Sequence, residues 1–316
     1  AWPIGVKSFK TLLFVGKLRR FLLEQKVDVV HARSRVPAWI AWLAWRGMDP
    51  STRPHFVTTA HGLYGVNRYS RIMTQGERVI AVSNTVRDYI LREYPGILPW
   101  RIQVIHRGVD GRFYPHGWKP DPAWQQIFFT QFPHAAGKQL LTLPGRITRL
   151  KGHEDFIELI ARLKRRGLPV HGLIVGGASS SKQRYLHKLR YRVRSLGLQG
   201  DISLTGQRDD LKNILAMSNL VLSLSTQPES FGRTTLEALR LGVPTAGYDH
   251  GGVGEILRTV YPAGLLPVNG IDETCQRIAR LLQQPEPVPT GNFFPLQAML
   301  DQTLALYEQL ARTPRR

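Results

Sequence analysis

Two carboxylates that lie close together in the sequence are the side chains best suited to chemistry in this chain. Glu229 lies in a polar turn after an apolar run at 220–224, and Glu237 lies about one turn into the helical pattern that follows. Free amides and the positive dipole end at the start of a helix attract anions. The two carboxylates could therefore accept hydrogen bonds from hydroxyl groups at opposite ends of a phosphate-centred molecule, and a nucleotide-sugar has this layout.

Two further loops place cations or glycines directly after predicted strands. The loop 145–152 offers Arg146 and Lys151, which could bind the two phosphates of a diphosphate. Solvated loop charges are the alternative for such a pair. Gly176 and Gly177 end another strand, where the missing side chains would let a ligand approach the backbone closely.

Two more loops precede predicted helices. The loop 206–210 contains Arg208 and could contact a nucleobase, although Asp209 or Asp210 is better explained as a helix N-cap. The aspartate pair does not predict a metal site, because no further carboxylate or histidine lies nearby at ligand spacing. The glycine-rich loop 250–255 opens a helix, and its amides suit a phosphate or a sugar.

The elements that must position these loops are strands alternating with helices. Predicted strands lie at 27–32, 56–60, 78–82, 103–105, 140–143, 171–175, 202–204, 220–224, 245–248 and 265–268. Predicted helices lie at 9–22, 37–45, 84–93, 153–166, 182–196, 210–217, 233–241, 254–259, 271–282 and 295–311. This alternation predicts an α/β protein with two parallel sheets, the second of them doubly wound with six strands. The irregular stretch 112–139 is interpreted as the connection between the two domains. Because loops at the carboxyl edge of such a sheet bind ligands, the four loops should converge.

The charge balance indicates an anionic partner. The 316 residues carry a formal net charge of +20 with a pI near 10.6, and 42% of them are hydrophobic, as in an ordinary globular protein. The charge alone fits a phosphorylated substrate, nucleic acid or an acidic membrane surface. Basic side chains are spread around the predicted helix 182–196, which favours a solvated surface for that helix.

The apolar residues predict a soluble or peripheral protein of the cytoplasm. The longest uninterrupted apolar run, 37–45, is far shorter than the roughly 20 residues that span a bilayer. Trp39, Trp42 and Trp45 recur every three residues, and this stripe could either anchor at a membrane interface or pack in a core. The single cysteine, Cys275, excludes an internal disulfide and suits a reducing compartment.

Four segments carry a resemblance to a known family: 105–110 ahead of Phe113, 145–152, 228–237 and 251–255. Together they resemble a retaining glycosyltransferase of family 4, also called a group 1 glycosyltransferase. The resemblance covers nearly the whole chain and implies the GT-B fold, an α/β architecture of two facing Rossmann-like domains with parallel sheets. The tracts 31–35 and 151–156 are similar to bacterial enzymes that build lipopolysaccharide or related surface glycans.

The resemblance implies a domain plan. Residues 1–120 would form the acceptor-side domain, residues 121–290 the nucleotide-sugar domain, and residues 291–316 a helix crossing back to the first domain. The family begins with a strand and a glycine-rich loop, and no such element precedes Trp2. We therefore expect a first domain that lacks its opening strands and an impaired activity. A smaller departure is Arg107, where the family has asparagine.

The resemblance also implies catalytic roles for four residues. Glu229 would hold the hydroxyl groups of the donor sugar, while Arg146 and Lys151 would neutralise the departing diphosphate without a metal ion. His61 matches the position where the family has a histidine near the donor sugar. Considered from the residues alone, a single histidine at the end of a strand is more often structural.

The donor itself would be bound by a larger set. Glu237 would bind the ribose, and backbone amides would lie beside the sugar and the phosphates. The implied donor-binding residues are Gly177, Arg208, Ser230, Phe231, Gly232, Glu237, Gly251 and Gly252. No cofactor or metal is implied, because the nucleotide-sugar is a substrate, and a UDP-sugar is the favoured donor.

The acceptor would be a glycan or a lipid-linked sugar. We hypothesise that the excess positive charge draws the protein to the inner face of the cytoplasmic membrane, where such an acceptor would lie.

The sequence leaves other functions open. A sugar-nucleotide epimerase or a phosphorylase of GT-B type could use a similar cleft. If the first domain lacks its opening strands, the protein could instead bind a nucleotide-sugar with impaired catalysis. Nucleic-acid binding is motivated by the charge alone, and we find no clustered stacking aromatics or binding motif for it, so we expect no nucleic-acid partner.

Overall fold

The computed structural model describes residues 12–315, which form ten strands and eleven α-helices. The chain divides into two compact units. The first unit runs up to Gly108 and resumes at Phe294, and the second unit is Val109–Phe293. The change from one unit to the other therefore falls before the irregular stretch that was predicted to connect two domains.

The first unit contains a four-stranded parallel sheet in the order β1-β2-β3-β4. Its strands are β1 (Val29–Ala32), β2 (His55–Ala60), β3 (Arg78–Ala81) and β4 (Ile102–Val104). Its helices are α1 (Leu13–Glu24), α2 (Arg35–Arg46), α3 (Asn84–Glu93) and α11 (Leu296–Ala311). The final helix packs Leu306 and Leu310 against Val57 and Ile80 of the sheet, so α11 contributes to the core of the first unit.

The tryptophan stripe of α2 belongs to the core of the first unit. Trp39, Trp42 and Trp45 are partly buried against a cluster that includes Phe56. The indole of Trp39 donates to the Tyr69 carbonyl at 3.0 Å, and that of Trp45 donates to a backbone carbonyl at 2.6 Å. Each tryptophan of this pair therefore satisfies its only polar group inside the protein, which supports core packing rather than a membrane anchor.

The second unit contains a six-stranded parallel sheet in the order β10-β9-β8-β5-β6-β7. Its strands are β5 (Gln139–Pro144), β6 (Val170–Val175), β7 (Ile202–Gly206), β8 (Leu220–Ser223), β9 (Thr245–Tyr248) and β10 (Leu265–Leu266). Its helices are α4 (Pro122–Gln131), α5 (His153–Arg165), α6 (Gln183–Ser195), α7 (Leu211–Met217), α8 (Arg233–Arg240), α9 (Gly251–Val260) and α10 (Ile271–Gln283). The strand order reverses direction between β5 and β8. The prediction of a doubly wound, six-stranded sheet is confirmed.

The expectation that 112–139 is irregular throughout is wrong, because α4 lies inside it. The Asp121 side chain accepts a hydrogen bond from the Ala123 amide at 2.7 Å and caps this helix. Pro122 occupies the first helical position, where a proline is favourable because no amide is needed there. α4 then buries Phe128 in a cluster with Leu140 and other residues of the second unit.

Among residues 12–315, every helix falls short of the length and apolarity that crossing a bilayer would require.

Candidate active site

The candidate site lies where the strand order of the second unit reverses. Lys151 comes from the loop after β5, and Glu229 comes from the loop after β8. The Lys151 Nζ lies 2.7 Å from the Glu229 Oε1, so an ion pair bridges the two loops. The Thr226 amide also donates to the Leu150 carbonyl at 2.9 Å. Crevices at such reversal points are where open α/β sheets bind ligands.

Gly152 allows these two loops to meet. Its φ of 68° lies in the left-handed region, which other residues rarely adopt. A Cβ at this position would lie 1.9 Å from the Leu224 carbonyl oxygen. Only glycine fits there without moving the end of β8, and α5 begins directly afterwards at His153.

The electrostatics of Glu229 favour its ionised form. Burial acts to raise the pKa of this carboxyl, but the Lys151 ammonium and the hydrogen bonds from Lys151 and Ser225 outweigh burial. The pKa of Glu229 therefore lies below its usual range. The Lys151 and Glu229 side chains are 29% and 24% exposed, so both can still be reached by a ligand.

The glycine-rich loop before α9 packs directly on the Glu229 loop. The Gly252 amide donates to the Glu229 carbonyl at 2.8 Å, and the His250 Nε2 lies 2.7 Å from the Ser225 carbonyl. A Cβ on Gly252 would lie 2.3 Å from the Cα of Phe231. α9 begins at Gly251 and not at the predicted 254, so the glycines form its first turn and their small size permits this contact.

Glu237 is held by two donors inside the second unit. The Arg233 Nε donates to the Glu237 Oε1 at 2.7 Å, and the Tyr114 phenol also forms a hydrogen bond with this carboxylate. Glu237 is 5% exposed, and burial raises its pKa although Arg233 and Tyr114 both oppose that shift. Burial together with the nearby Glu237 raises the pKa of Tyr114 to about 12, so the phenol keeps its proton.

Sequence reasoning missed Tyr114 and Arg233 as partners of Glu237. Tyr114 directly follows Phe113, which closes one of the segments that carry the family resemblance, and it is the first phenol of the second unit. Arg233 precedes Glu237 by one helical turn, a spacing at which an arginine and a glutamate form an ion pair. Both signals were present in the sequence.

Arg146 lies in the loop after β5, which also supplies Lys151, and Gly177 lies in the loop after β6. The Ile147 amide donates to the Gly177 carbonyl at 2.9 Å, so the loops after β5 and β6 are joined. Arg146 is exposed, and no hydrogen bond or ion pair joins it to another residue in the described part of the chain. Its guanidinium is therefore available to an anion.

Arg208 is held by side chains of the second unit. Its guanidinium donates twice to the Asp210 carboxylate, at 2.8 and 2.6 Å, and once to Gln131 at 2.9 Å. Asp210 occupies the N-cap position of α7, as predicted, but its side chain makes no capping hydrogen bond. The carboxylate binds Arg208 and the Trp124 indole instead, because bidentate contact with a guanidinium is stronger than a single bond to an amide.

His61 lies in the first unit, directly after β2, whereas the other three predicted catalytic residues lie in the second unit. Burial lowers the pKa of His61 to about 4, and Arg107, Arg33 and His31 add to this effect. Its buried Nδ1 has no hydrogen-bond partner among residues 12–315. The ring is therefore neutral at physiological pH.

His31 is a second buried histidine of the first unit. Its Nε2 lies 2.6 Å from the Thr59 hydroxyl, and its Nδ1 contacts the Tyr307 phenol of α11. Burial lowers the pKa of His31 to about 4, with Arg33 contributing in the same direction. Both ring nitrogens are satisfied by hydroxyl groups, so this histidine fixes α11 on the sheet.

Two family models match this chain. The model of the family described as Glycosyl transferases group 1 matches residues 125–290, which is more than half of the chain. The chain belongs to the group 1 glycosyltransferases. A second model, Glycosyltransferase Family 4, matches residues 2–112 of this group 1 glycosyltransferase.

This group 1 glycosyltransferase is similar to proteins of known structure. A glycosyltransferase from Rickettsia africae shares 25% identity at a TM-score of 0.80, covering 98% of this chain and 84% of that chain. Anabaena Alr3699/HepE, solved in complex with UDP, shares 20% identity at a TM-score of 0.79, covering 94% and 82% respectively. The predicted GT-B type of α/β fold is confirmed.

Curated relatives are similar over much of this chain but are longer. D-inositol 3-phosphate glycosyltransferase from Gordonia bronchialis is 26% identical over 282 residues, which cover 82% of this chain and 59% of the relative. The matched parts span between 38% and 59% of the first three curated relatives.

Proposed function

We propose that this group 1 glycosyltransferase transfers a sugar from a nucleotide-sugar to an acceptor hydroxyl. The ion pair between Lys151 and Glu229 carries the proposal, because it places a cation and a carboxylate at the point where the strand order reverses. A bound donor would separate this ion pair. Its diphosphate would bind Lys151, and its sugar hydroxyls would donate hydrogen bonds to Glu229. Glu229, whose pKa is lowered, can accept these hydrogen bonds in its ionised form.

The proposed chemistry is stabilisation of a leaving diphosphate. As the bond between the anomeric carbon and the phosphate oxygen breaks and the bond to the acceptor oxygen forms, negative charge grows on the departing phosphate, whose oxygen takes the proton of the acceptor hydroxyl. Lys151 and the exposed Arg146 would neutralise that charge, and the first amides of α8 and α9 would add hydrogen bonds. We assign this role to the two cations, without a metal ion. The family resemblance supports retention of the donor's anomeric configuration.

The proposed nucleotide site centres on Glu237. This carboxylate would accept hydrogen bonds from the ribose hydroxyls while Tyr114 and Arg233 hold it in place. A UDP-sugar is the favoured donor, and the UDP complex of the Anabaena protein supports that choice. The amides of Ser230, Phe231 and Gly232 would lie beside the sugar and the phosphates.

Three other predicted site residues are not part of the ion pair and stay proposals. Arg208 is tied to Asp210, so nucleobase contact would require it to leave that carboxylate or to use its remaining N–H groups. His61 stays a prediction from the family resemblance, with a neutral ring suited to accept or donate one hydrogen bond. Gly177 would let the donor approach the backbone.

The proposed acceptor is a glycan or a lipid-linked sugar of lipopolysaccharide or surface polysaccharide synthesis. The net charge of +20 supports an anionic acceptor and a peripheral position on the inner face of the cytoplasmic membrane. The Gordonia relative is named for a phosphorylated acceptor, and this agrees with an anionic acceptor in general.

A thermal-shift screen of the purified protein against UDP, ADP, GDP and their sugars tests the donor assignment. A ligand that binds only the folded state raises its melting temperature. We expect one nucleotide series to stabilise the protein and Glu229→Gln to lose the extra stabilisation that the sugar adds. Glu273→Gln, which breaks an exposed ion pair on α10, is the matched control. Equal sugar-dependent shifts in both variants would contradict the role of Glu229.

A further inference from the structure

A second basic pocket lies in the first unit, away from the carboxyl edge of the sheet. It has a volume of about 540 Å³ and opens at the amino ends of β2 and β3. The residues that matter for its chemistry are Arg53, Glu77, Arg78, Leu98, Trp100 and Arg101. We call it the amino-edge pocket. His61 lies at the other end of β2, so the pocket does not belong to the site described above.

The charge of the amino-edge pocket is not balanced from within. Among the described residues that line the pocket, Glu77 is the only acidic one. Three arginines line the same pocket: Arg53, Arg78 and Arg101. The two oxygens of Glu77 are already used: one is 2.7 Å from the Nδ1 of His55, and the other accepts from the Phe56 amide at 3.3 Å. A bound anion would therefore balance the remaining positive charge of Arg78 and Arg101.

Backbone carbonyls position the two arginines of the inner wall. The Arg78 Nη1 donates to the Trp100 carbonyl at 2.5 Å, and the Arg101 Nη2 donates to the Gly76 carbonyl. These bonds fix each guanidinium without neutralising it. Since a guanidinium has five N–H donors, each retains several for a ligand. Two fixed guanidinium groups that share one carboxylate are well suited to bind phosphate.

The rim of the pocket is apolar. Leu98 is 51% exposed and Trp100 is 61% exposed, although both are large hydrophobic residues. The Trp100 ring lies 5.2 Å from the Arg78 guanidinium, so apolar surface and positive charge are adjacent. A ligand with an apolar or planar group next to its anionic end would cover both residues. The volume also exceeds what inorganic phosphate needs and is typical of a small organic ligand.

We propose that the amino-edge pocket binds an organic phosphate, that is, a phosphate ester whose other end is apolar or planar. The phosphate binds between Arg78 and Arg101, and the apolar end covers Trp100 and Leu98. Such a ligand joins the starts of β3 and β4 to the segment after α11, where the Thr313 carbonyl lies 3.2 Å from the His55 Nε2. Two sources offer this chemistry: a soluble phosphate ester, or the headgroup and first methylenes of an anionic lipid.

Calorimetric titration of the purified protein tests the proposal with three probes. Phenyl phosphate represents the soluble ester, short-chain dihexanoyl phosphatidic acid represents the lipid, and inorganic phosphate measures the anion alone. We expect both organic probes to bind more tightly than inorganic phosphate. Tighter binding of the short-chain lipid would identify the natural ligand as a lipid headgroup, and tighter binding of phenyl phosphate would identify it as a soluble phosphate ester. No heat of binding from either organic probe at millimolar concentration overturns the proposal.

Variants locate the binding site. Arg78→Gln should weaken phenyl phosphate binding at least about tenfold, since a hydrogen bond to a charged group contributes about 1.5–3 kcal/mol. Arg92→Gln on α3, an exposed arginine of the same unit, should leave binding unchanged. If Arg78→Gln fails to fold, Trp100→Ala removes only an exposed ring, and it should weaken phenyl phosphate but not inorganic phosphate. Equal affinities in Arg92→Gln and the pocket variants overturn the proposal, as does displacement of phenyl phosphate by UDP.

Discussion

Replacing Lys151 with methionine tests the ion pair at the switch point most sharply. The substitution removes the ammonium that lies 2.7 Å from Glu229 and keeps a side chain of similar length. Removing one partner from a fully buried pair costs about 3–5 kcal/mol, because the other charge is left uncompensated. Since the two side chains are 29% and 24% exposed, water offsets part of that cost. We expect a loss of about 1–2 kcal/mol in the free energy of unfolding at neutral pH.

The pH dependence of that loss has a definite sign. In the wild type the pKa of Glu229 is depressed, so its stabilising contribution is present above the pKa of the unfolded state and disappears as the pH falls through the lower folded value. In Lys151→Met, burial remains and the cation is gone, so the pKa of Glu229 should rise above its usual range. As the pH falls, protonation removes the uncompensated negative charge of Glu229, and the variant regains stability. The difference between the two proteins should therefore shrink as the pH falls from neutral towards about 4.

Urea unfolding over this pH range provides the measurement. Lys188→Met is the matched control, since Lys188 pairs with Glu154 at 3.1 Å on the surface, where the two side chains are 54% and 34% exposed. We expect the control to lose little stability and to show little pH dependence. A Lys151→Met stability loss that is constant across the range would refute the assignment of Glu229 as a buried, ionised carboxylate held by Lys151.

Three further predictions concern other parts of the site. Tyr114→Phe removes a donor to the buried Glu237 and should weaken UDP binding by roughly tenfold; an equal loss for 2′-deoxy-UDP and UDP in titrations would argue against a ribose contact. Gly152→Ala should destabilise the protein by about 3 kcal/mol more than Gly167→Ala in urea unfolding, because both have positive φ but only Gly152 faces a backbone oxygen; similar losses would contradict the close approach. With a pKa near 4, His61 should give the rate no inflection between about pH 6 and pH 8; an inflection that His61→Gln abolishes would contradict this.

The fold was largely predictable because its signals are local. Apolar runs alternate with helical patterns, and this alternation alone indicates parallel sheets and a doubly wound second unit. The stretch 112–139 looks irregular because it is rich in prolines, but Pro122 directly follows the N-cap Asp121, and a proline at that position starts the helix α4. The position of Trp39, Trp42 and Trp45 depended on which surface α2 faces, and the sequence of α2 does not contain that information.

The candidate site was predictable only in part. The loops containing Lys151, Glu229 and Gly252 were expected to converge because each follows a strand or opens a helix at one sheet edge. Their pairings were not predictable, because they depend on how loops distant in sequence pack. Arg208 is an example. Its residue type and its loop suggest a ligand contact, and its ion pair with Asp210 became visible only in the structure.

The most direct test of the central claim is the rate of sugar transfer by Glu229→Gln. The substitution keeps the shape of the side chain but removes the charge that Lys151 and Ser225 contact. With the donor that the thermal-shift screen identifies, we predict that transfer, measured as product per enzyme per second, falls on the order of a hundredfold. Glu273→Gln should retain the wild-type rate. A Glu229→Gln rate within a factor of about three of that control would contradict a donor site at the switch point.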